Sequence, residues 1–433
     1  MVETTDLISE IDCELHLGEE HDPYECTLVL TEDGVPSIKL EKGTGPQSKL
    51  EETWAEINGR DKYGRNISVK NANSVHSSDF QLTKISTPEV TISKNKDHVL
   101  EEDREIVIEF DVLCFQPNIP ASNQLDEETR QHLMKNSGVD SVDEYSTTYV
   151  DKTNLKIEGV PLTDTKERVE FIEDNHQNLR TAKIRVTQIE NGPISRRVDL
   201  AKQEVKKVIE VSQLVQETSP TIVRTKVISV DGTPIQESNV HYEKFYSGGT
   251  ANTGGAFKQF PERICRGDFG EFVEEAYDNY DEYTRKQLRV QQALGYYVDA
   301  RDSDRSVEPK LLSTCSAIEI LSLWHAREDN ESCSTGEKIQ HTINKLEVET
   351  QDLAQEVIDK PNELDYPEYF WSEGRNHVVH GDPDVSTHDL FQHQEAALIV
   401  LKRLLRNQLL GKENDKLEGF YDLEMRSIMS FDE

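Results

Sequence analysis

The chain has 433 residues, of which 83 are Asp or Glu and 48 are Lys or Arg, so its formal net charge at pH 7 is −35. This length predicts two or three domains, and a hydrophobic content of 35% argues against a disordered chain. There is no apolar run of the roughly 18 residues that a spanning helix needs, and the start lacks the basic and apolar parts of a signal peptide. We therefore expect a cytoplasmic protein without membrane contact.

The first 246 residues are typical of β-structure. Alternating apolar and polar residues predict a hairpin of Tyr24–Leu30 with Ser37–Leu40 around the turn at 32–34. Further short strands are predicted at Asn66–Val69, Val90–Ser93, Glu105–Leu113, Asn154–Ile157 and Ala182–Val186. Residues 120–149 are polar, which predicts an irregular or partly helical segment.

One helix interrupts these strands. Apolar residues repeat with a helical period over Leu200–Val215. A second hairpin is then predicted from Thr221–Val230, the turn Asp231–Gly232, and Val240–Phe245. The pattern predicts a β-rich, sandwich-like domain over residues 1–246.

Residues 247–255 contain four glycines and separate this domain from the C-terminal part of the chain. A glycine-rich loop can cradle a phosphate, but this one has neither a G-K-[ST] ending nor a G-x-G-x-x-G pattern. A linker is therefore favoured over a nucleotide-binding loop.

After the linker the hydrophobic period becomes helical. Six helices are predicted, at Asp268–Thr284, Lys286–Ala300, after Glu308 as far as Leu323, Thr335–Ile358, Pro367–His380 and His388–Leu410. Short connections between them predict a helical bundle over residues 256–412, followed by an acidic tail over 413–433. The fold class expected for the whole chain is α+β.

The six cysteines, at 13, 26, 114, 265, 315 and 333, form no C-x-x-C pair. A zinc ribbon or a thioredoxin-like site is therefore unsupported, and a disulfide framework is not expected in a chain of this length. The sequence favours thiols that are buried or solvated.

The residues with the clearest chemistry are Arg375, Asn376 and His380, which form an R-N-x3-H pattern. Gly381 follows directly after it. On a helix, Asn376 and His380 share a face, and Arg375 lies about 140° from His380. An imidazole can take a proton from a ribose 2′-hydroxyl or return one to a leaving 5′-oxygen, and a guanidinium can hold the phosphate. These groups suffice for metal-independent cleavage of RNA.

Residues 256–412 resemble a HEPN domain, because Arg375–His380 matches its R-polar-x3-H signature. The similarity is closest to the ApeA-like branch, in which a helix with an Ala-Ile-Glu-Ile-Leu context (here Ala317–Leu321) precedes the motif. The segments Tyr24–Leu40 and Ile57–Val69 are similar to the β-rich N-terminal domain of that branch.

The resemblance implies an endoribonuclease that works as a homodimer, with Arg375 and His380 catalytic and Asn376 in support. It implies RNA as substrate, tRNA among the candidates, and no cofactor. It also implies antiphage defence by abortive infection, with a phage-derived trigger sensed by residues 1–246.

Other interpretations remain open. A non-catalytic HEPN module that dimerises or docks a partner is the main alternative. The histidines His377, His380, His388 and His393 could also hold a metal ion together with Asp382 or Asp384, although no H-E-x-x-H is present. Glu319 is expected to act in packing or helix pairing.

A chain of charge −35 repels polyanions at low salt. At molar salt the Debye length falls to about 3 Å, and this repulsion largely disappears. We therefore expect a halophilic protein that contacts RNA locally, through Arg375.

Overall fold

The computed structural model describes two parts of the chain that differ in secondary structure. The described residues are 7–16, 24–31, 37–40, 53–61, 65–76, 82–86, 89–93, 105–113, 115, 147–161, 180–216, 219–230, 234–240, 269–301, 305–327, 334–348, 375–380 and 387–410. Strands occupy the described residues up to Val240, with one helix among them, and helices occupy those from Phe269 onward. The fold is broadly α+β, as the sequence predicts.

The N-terminal part contains thirteen described strands. They are β1 (Leu7–His16), β2 (Tyr24–Thr31), β3 (Ser37–Leu40), β4 (Thr53–Asp61), β5 (Asn66–His76), β6 (Leu82–Ser86), β7 (Glu89–Ser93), β8 (Ile106–Leu113), β9 (Thr147–Lys152), β10 (Leu155–Pro161), β11 (Arg180–Thr187), β12 (Thr221–Ser229) and β13 (Pro234–Val240).

These strands form one antiparallel ladder. Its order is β4-β1-β2-β3-β6-β5-β7-β13-β12-β8-β11-β10-β9, and β4 also pairs with β5. The extra pairing closes β1 to β6 into a ring, while the remaining strands continue as an open sheet from β5 through β7. The expectation of a sandwich is therefore corrected: hydrogen bonds join all described strands in one curled sheet, where a sandwich keeps two separate sheets.

Alternation places one face of the ring strands in a shared core. Ile57 of β4 and Ile67 and Val69 of β5 are buried, whereas their neighbours Glu56 and Lys70 are exposed. The core consists of Cys13, Leu15, Cys26, Leu28, Ile38, Leu40, Ile57, Ile67, Val69, Ala72, Val90 and Ile92. The apolar residues that alternate along the sequence therefore form the inward face of the ring.

The first predicted hairpin is confirmed, because β2 pairs with β3 with Leu28 opposite Ile38. The second is wrong in its returning strand. β12 pairs with Pro234–Val240, which precedes the predicted Val240–Phe245. A proline is tolerated at the first position of a strand, where it costs little ladder hydrogen bonding. Residues 116–146 and 241–268, which include the glycine-rich segment, lie outside the described residues.

Helix α1 (Ile194–Gln216) begins earlier than the predicted Leu200, because the Pro193 carbonyl accepts a hydrogen bond from the Arg197 amide at 3.1 Å. A boundary between two compact units falls inside this helix: its residues up to Val205 belong to the first unit and its residues from Lys206 to the second, and the chain returns to the first unit at Pro220. Val211 and Leu214 accordingly join the core of the helical unit. The sequence pattern alone assigns the whole helix to the β-rich domain.

In the described residues, the helical unit contains six further helices and a π turn. They are α2 (Phe269–Asn279), the π turn Tyr283–Gln287, α3 (Val290–Ala300), α4 (Val307–Arg327), α5 (Thr335–Lys345), α6 (Asn376–His380) and α7 (Thr387–Leu410). In the described part of the chain, no helix combines the length and apolar character needed to cross a bilayer.

Several helix boundaries differ from the prediction, among them the end of α2 at Asn279 and not at Thr284. The break before α3 falls at Arg289, whose φ of 56° lies in the left-handed region. Helix α5 begins with a capping box, in which Ser334 and Glu337 bond each other's backbone amides. It ends at Lys345 and not at Ile358, because Glu347 has a φ of 51° and the Leu346 carbonyl accepts a hydrogen bond from Asn407 Nδ2 at 2.8 Å.

Helix α4 is central in this unit, since it packs against α3, α5 and α7. A buried hydrogen bond of 3.2 Å from Thr314 Oγ1 to Gln394 Oε1 links α4 to α7. At the other end of α7, Asn279 Nδ2 donates to the Leu409 carbonyl at 2.8 Å. These hydrogen bonds tie α7 to α4 and to the end of α2.

Candidate functional site

The predicted motif forms a short helical segment anchored by one apolar side chain. Val378 of α6 packs against the core of the helical unit. On a helix, Asn376 and His380 then lie about 160° from Val378 on either side, and Arg375 lies only about 60° from it. His380 is exposed and Arg375 is half-buried, as this geometry predicts, but Asn376 is half-buried as well. The motif therefore turns its imidazole outward and keeps its guanidinium near the helical core.

The charge of Arg375 lies beside α4. Burial raises the pKa of the Cys315 thiol to about 12, the positive charge of Arg375 lowers it, and the charge of Glu319 raises it. The Arg375 guanidinium therefore lies within electrostatic range of the Cys315 thiol on α4. Cys315 and Glu319 are four residues apart and share a face of α4.

The sequence predicts that Glu319 acts in packing or helix pairing, and the structure places it half-buried on α4. It lies one turn from Cys315, the thiol on which the Arg375 charge also acts. The sequence signal was available, since Glu319 is an acidic residue within the apolar stretch Ala317–Leu321 of a core helix. The sequence alone does not indicate which cationic side chain lies near the Glu319 carboxylate, because that depends on how the helices pack.

Of the clustered histidines other than His380, the structure describes the side chains of His388 and His393, which lie on different faces of α7. His388 is exposed at the start of α7, and His393 is buried, about 140° further around the helix. The His377 side chain, Asp382 and Asp384 lie outside what the structure describes. Among the described side chains, no three of the His, Cys, Asp or Glu type could hold a metal ion together.

A second polar cluster, which sequence reasoning missed, lies at the end of α1. The buried Glu210 carboxylate accepts hydrogen bonds from Tyr280 Oη at 3.0 Å, from Gln291 Nε2 at 2.7 Å, and from both Nε and Nη2 of Arg285 at 2.7 and 2.6 Å. Burial, followed by the charge of Glu210, raises the pKa of Tyr280 above its usual range. The hydrogen bond to Glu210 raises the pKa of Arg285.

This cluster is structural in character. Its acceptor is satisfied by four donors, so no acceptor is left for a substrate. It connects the C-terminal half of α1 to α2, the π turn and α3. The available signal was a glutamate within the apolar run Val208–Val211, which predicts a buried carboxylate in need of donors.

Large apolar side chains are exposed near the motif. Val379 is 50% exposed and Phe391, on the first turns of α7, is 40% exposed. Large exposed apolar residues next to polar ones are frequent where proteins associate. In the sequence, Val379 directly precedes His380 and Phe391 follows His388 by three residues.

The comparisons with known proteins add no assignment. The chain matches no protein-family model, no curated protein and no solved structure.

Proposed function

We propose that this protein is a metal-independent endoribonuclease of the HEPN type, with Arg375 and His380 as catalytic residues. The observation that carries the proposal is the arrangement of the motif: His380 is exposed, and Arg375 is half-buried, with its charge acting on the Cys315 thiol of α4. An exposed imidazole can reach a substrate, and a guanidinium can hold a phosphate.

In the proposed reaction, the ribose 2′-oxygen attacks the adjacent phosphorus while an imidazole accepts the hydroxyl proton. The bond from phosphorus to the 5′-oxygen breaks, and that oxygen takes up a proton. The products are a 2′,3′-cyclic phosphate and a 5′-hydroxyl end. Arg375 stabilises the charge on the phosphate oxygens in the transition state, and Asn376 orients one of the partners.

One imidazole cannot accept and donate a proton in the same step, so the proposal includes a homodimer that brings two His380 side chains to one RNA. The exposed Val379 and Phe391 side chains support it, because they provide an apolar surface for pairing. A Phe391→Asp variant should sediment as a monomer where the wild type sediments as a dimer. It should also lose cleavage.

The resemblance to the ApeA-like branch further leads us to propose a cytoplasmic role in antiphage defence, with a trigger that acts on the β-rich unit. The alternative is a HEPN module that pairs or docks a partner without cutting RNA. The same exposed apolar side chains would serve that role, so activity must decide between them.

The deciding experiment incubates the full-length protein with tRNA and total RNA in high-salt buffer containing EDTA. Cleavage is expected in EDTA, with 5′-hydroxyl ends that a polynucleotide kinase can label directly. Metal-dependent hydrolysis would instead be blocked by EDTA. Cleavage should disappear in Arg375→Ala and His380→Ala.

The matched control is His388→Ala, because His388 is also an exposed helical histidine in this unit. It should cleave like the wild type. Equal loss in all three variants would point to a folding defect, and undiminished cleavage in all three would point to a contaminating nuclease. No cleavage by the wild type, alone or after mixing with lysate from phage-infected cells, would favour the non-catalytic module.

A further inference from the structure

Two cysteine side chains meet inside the closed ring of strands. Cys13 of β1 lies directly opposite Cys26 of β2 in the antiparallel register. Their sulfur atoms are 3.4 Å apart, and the Cys26 thiol also lies 3.4 Å from the Cys13 carbonyl oxygen. Both are reduced thiols in this structure.

The backbone already has the spacing of a disulfide. Directly opposed residues in an antiparallel pair have Cα atoms about 4.5–5.5 Å apart, inside the range of about 4.4–6.8 Å that disulfides span. The sulfur atoms need to approach by about 1.4 Å, from 3.4 Å to the bond length of about 2.0 Å. Rotation of the two side chains can supply that movement without a shift of β1 or β2.

We propose that Cys13 and Cys26 form a redox-modification site, at which a peroxide converts the two thiols into a disulfide between β1 and β2. One sulfur, as its thiolate, attacks the peroxide oxygen to form a sulfenic acid, and the leaving oxygen departs with a proton as water. The second thiol attacks that sulfur, the S–O bond breaks, and a second water leaves. In total, two thiols and one hydrogen peroxide give one disulfide and two waters.

The environment determines which oxidants can act. The two side chains are only 5% and 7% exposed, so a molecule the size of glutathione disulfide cannot reach either sulfur in the folded ring, whereas hydrogen peroxide is little larger than water. The hydrogen bond with Cys13, followed by burial, raises the pKa of Cys26, which lowers the thiolate fraction. Oxidation should therefore be slow, selective for small oxidants, and faster at alkaline pH.

The second thiol also protects the first. A sulfenic acid formed on either sulfur lies in contact with its partner, so it should be consumed by disulfide formation before a second peroxide reaches it. The disulfide would close a short loop within the ring. Because such a cross-link restricts the unfolded chain, it should stabilise the first unit against unfolding.

The test treats the folded, full-length protein with hydrogen peroxide in high-salt buffer. Remaining thiols are alkylated after unfolding, and the chain is cut with a glutamate-specific protease. Glu14 and Glu25 separate the two cysteines, so the expected product is a reducible pair of peptides, 11–14 and 26–32. Trypsin would leave both in one peptide, 1–39, which should be lighter by two hydrogen atoms.

Three variants make the result specific. Cys13→Ser and Cys26→Ser should give no cross-link and should instead trap a sulfenic acid on the remaining cysteine, detectable with dimedone. Cys315→Ser removes a buried thiol of the helical unit and should leave the cross-link unchanged. The oxidised wild type should also unfold at higher urea concentration than the reduced protein, and neither of the first two variants should show that shift.

Retention of both thiols in the folded wild type, at peroxide concentrations that oxidise the unfolded chain, would overturn the proposal. So would equal loss of the thiols at 13 and 26 to sulfinic acid without a cross-link. Neither result depends on ribonuclease activity.

Discussion

Arg285 binds Glu210 through two parallel hydrogen bonds, from Nε to Oε2 at 2.7 Å and from Nη2 to Oε1 at 2.6 Å. The two side chains are 13% and 12% exposed, and 75 residues separate them along the chain. This ion pair joins the end of α1 to the π turn of the helical unit. Stability of that unit should therefore depend on a residue that precedes the last two strands of the β-rich unit.

Glu210→Ala should destabilise the helical unit by about 3–5 kcal/mol, because it leaves the buried Arg285 guanidinium without its acceptor. The measurement is urea unfolding followed by tryptophan fluorescence, with Trp324 reporting on α4. The control is Lys286→Ala, which removes an exposed ion pair with Glu282, 2.5 Å apart, on the same turn. That variant should unfold almost as the wild type does. Equal effects would show that burial of the pair contributes nothing.

Tyr280 should make the helical unit sensitive to alkali. Its pKa is raised in the folded state from an ordinary value of 10.0, so its hydroxyl stays neutral there while that of the unfolded chain ionises. The stabilisation is complete below pH 10 and is lost above it, at about 1.4 kcal/mol for each pH unit.

The comparison variant is Tyr280→Phe, which lacks both the titrating hydroxyl and its hydrogen bond to Glu210. It should be less stable than the wild type at pH 8, and the difference should shrink as the pH rises above 10. Urea unfolding at several pH values measures it. A difference that stays constant up to pH 11 would show that the hydroxyl ionises normally in the folded protein.

Gly59 is required by the close approach of β4 to β1. A Cβ at this position would lie 2.0 Å from the Glu14 carbonyl oxygen and 2.9 Å from the Leu15 Cα. Because these are backbone atoms, Gly59→Ala should force a shift of the strands and destabilise the β-rich unit by about 1–3 kcal/mol. Thermal unfolding followed by circular dichroism measures it.

The matched control is Gly295→Ala on helix α3, where a Cβ would meet nothing within 4 Å. Alanine favours a helix over glycine by about 1 kcal/mol, so this variant should be as stable as the wild type or more stable. If Gly59→Ala behaves like Gly295→Ala, β1 and β4 are not in the close contact described.

Much of the fold follows from hydrophobic period. Strands β2 and β3 were predictable because alternation and a turn signal coincide, and α7 was predictable from its apolar residues. Strand β1 was missed although it alternates, because its inward positions include Cys13 between two acidic residues. The strand that pairs with β12 was misplaced because proline was not expected to begin it.

The candidate site was predictable only in part, because a local sequence pattern does not indicate long-range contacts. Arg375, Asn376 and His380 are close in sequence, so their local spacing needs no tertiary information. Glu210 binds Arg285 across 75 residues of the chain, and no local pattern indicates which cation a buried glutamate meets. Long-range pairing of charges is therefore the part that sequence reasoning could not supply.

Glu319 should position Arg375 for the proposed cleavage. Glu319→Ala should reduce kcat by roughly tenfold to a hundredfold with little change in KM, because a misplaced guanidinium weakens transition-state binding most. Glu319→Asp, which keeps the charge, should recover part of the rate. The control is Glu274→Ala, an exposed glutamate on α2, which should cleave normally. A positioning role would be contradicted by a change in KM without a change in kcat. It would also be contradicted if Glu319→Asp recovered none of the lost rate.

Salt should stabilise the folded chain through its charge of −35. Raising KCl from 0.1 M to 1 M shortens the Debye length from about 10 Å to about 3 Å, which removes most of the repulsion between exposed carboxylates. The Tm should therefore rise steeply between these concentrations and more slowly above them. Sorbitol at equal osmolality, which does not screen charge, should not reproduce the early rise. A Tm that stays flat in KCl would show that the acidic surface is not limiting stability, and RNA cleavage would then need no high salt.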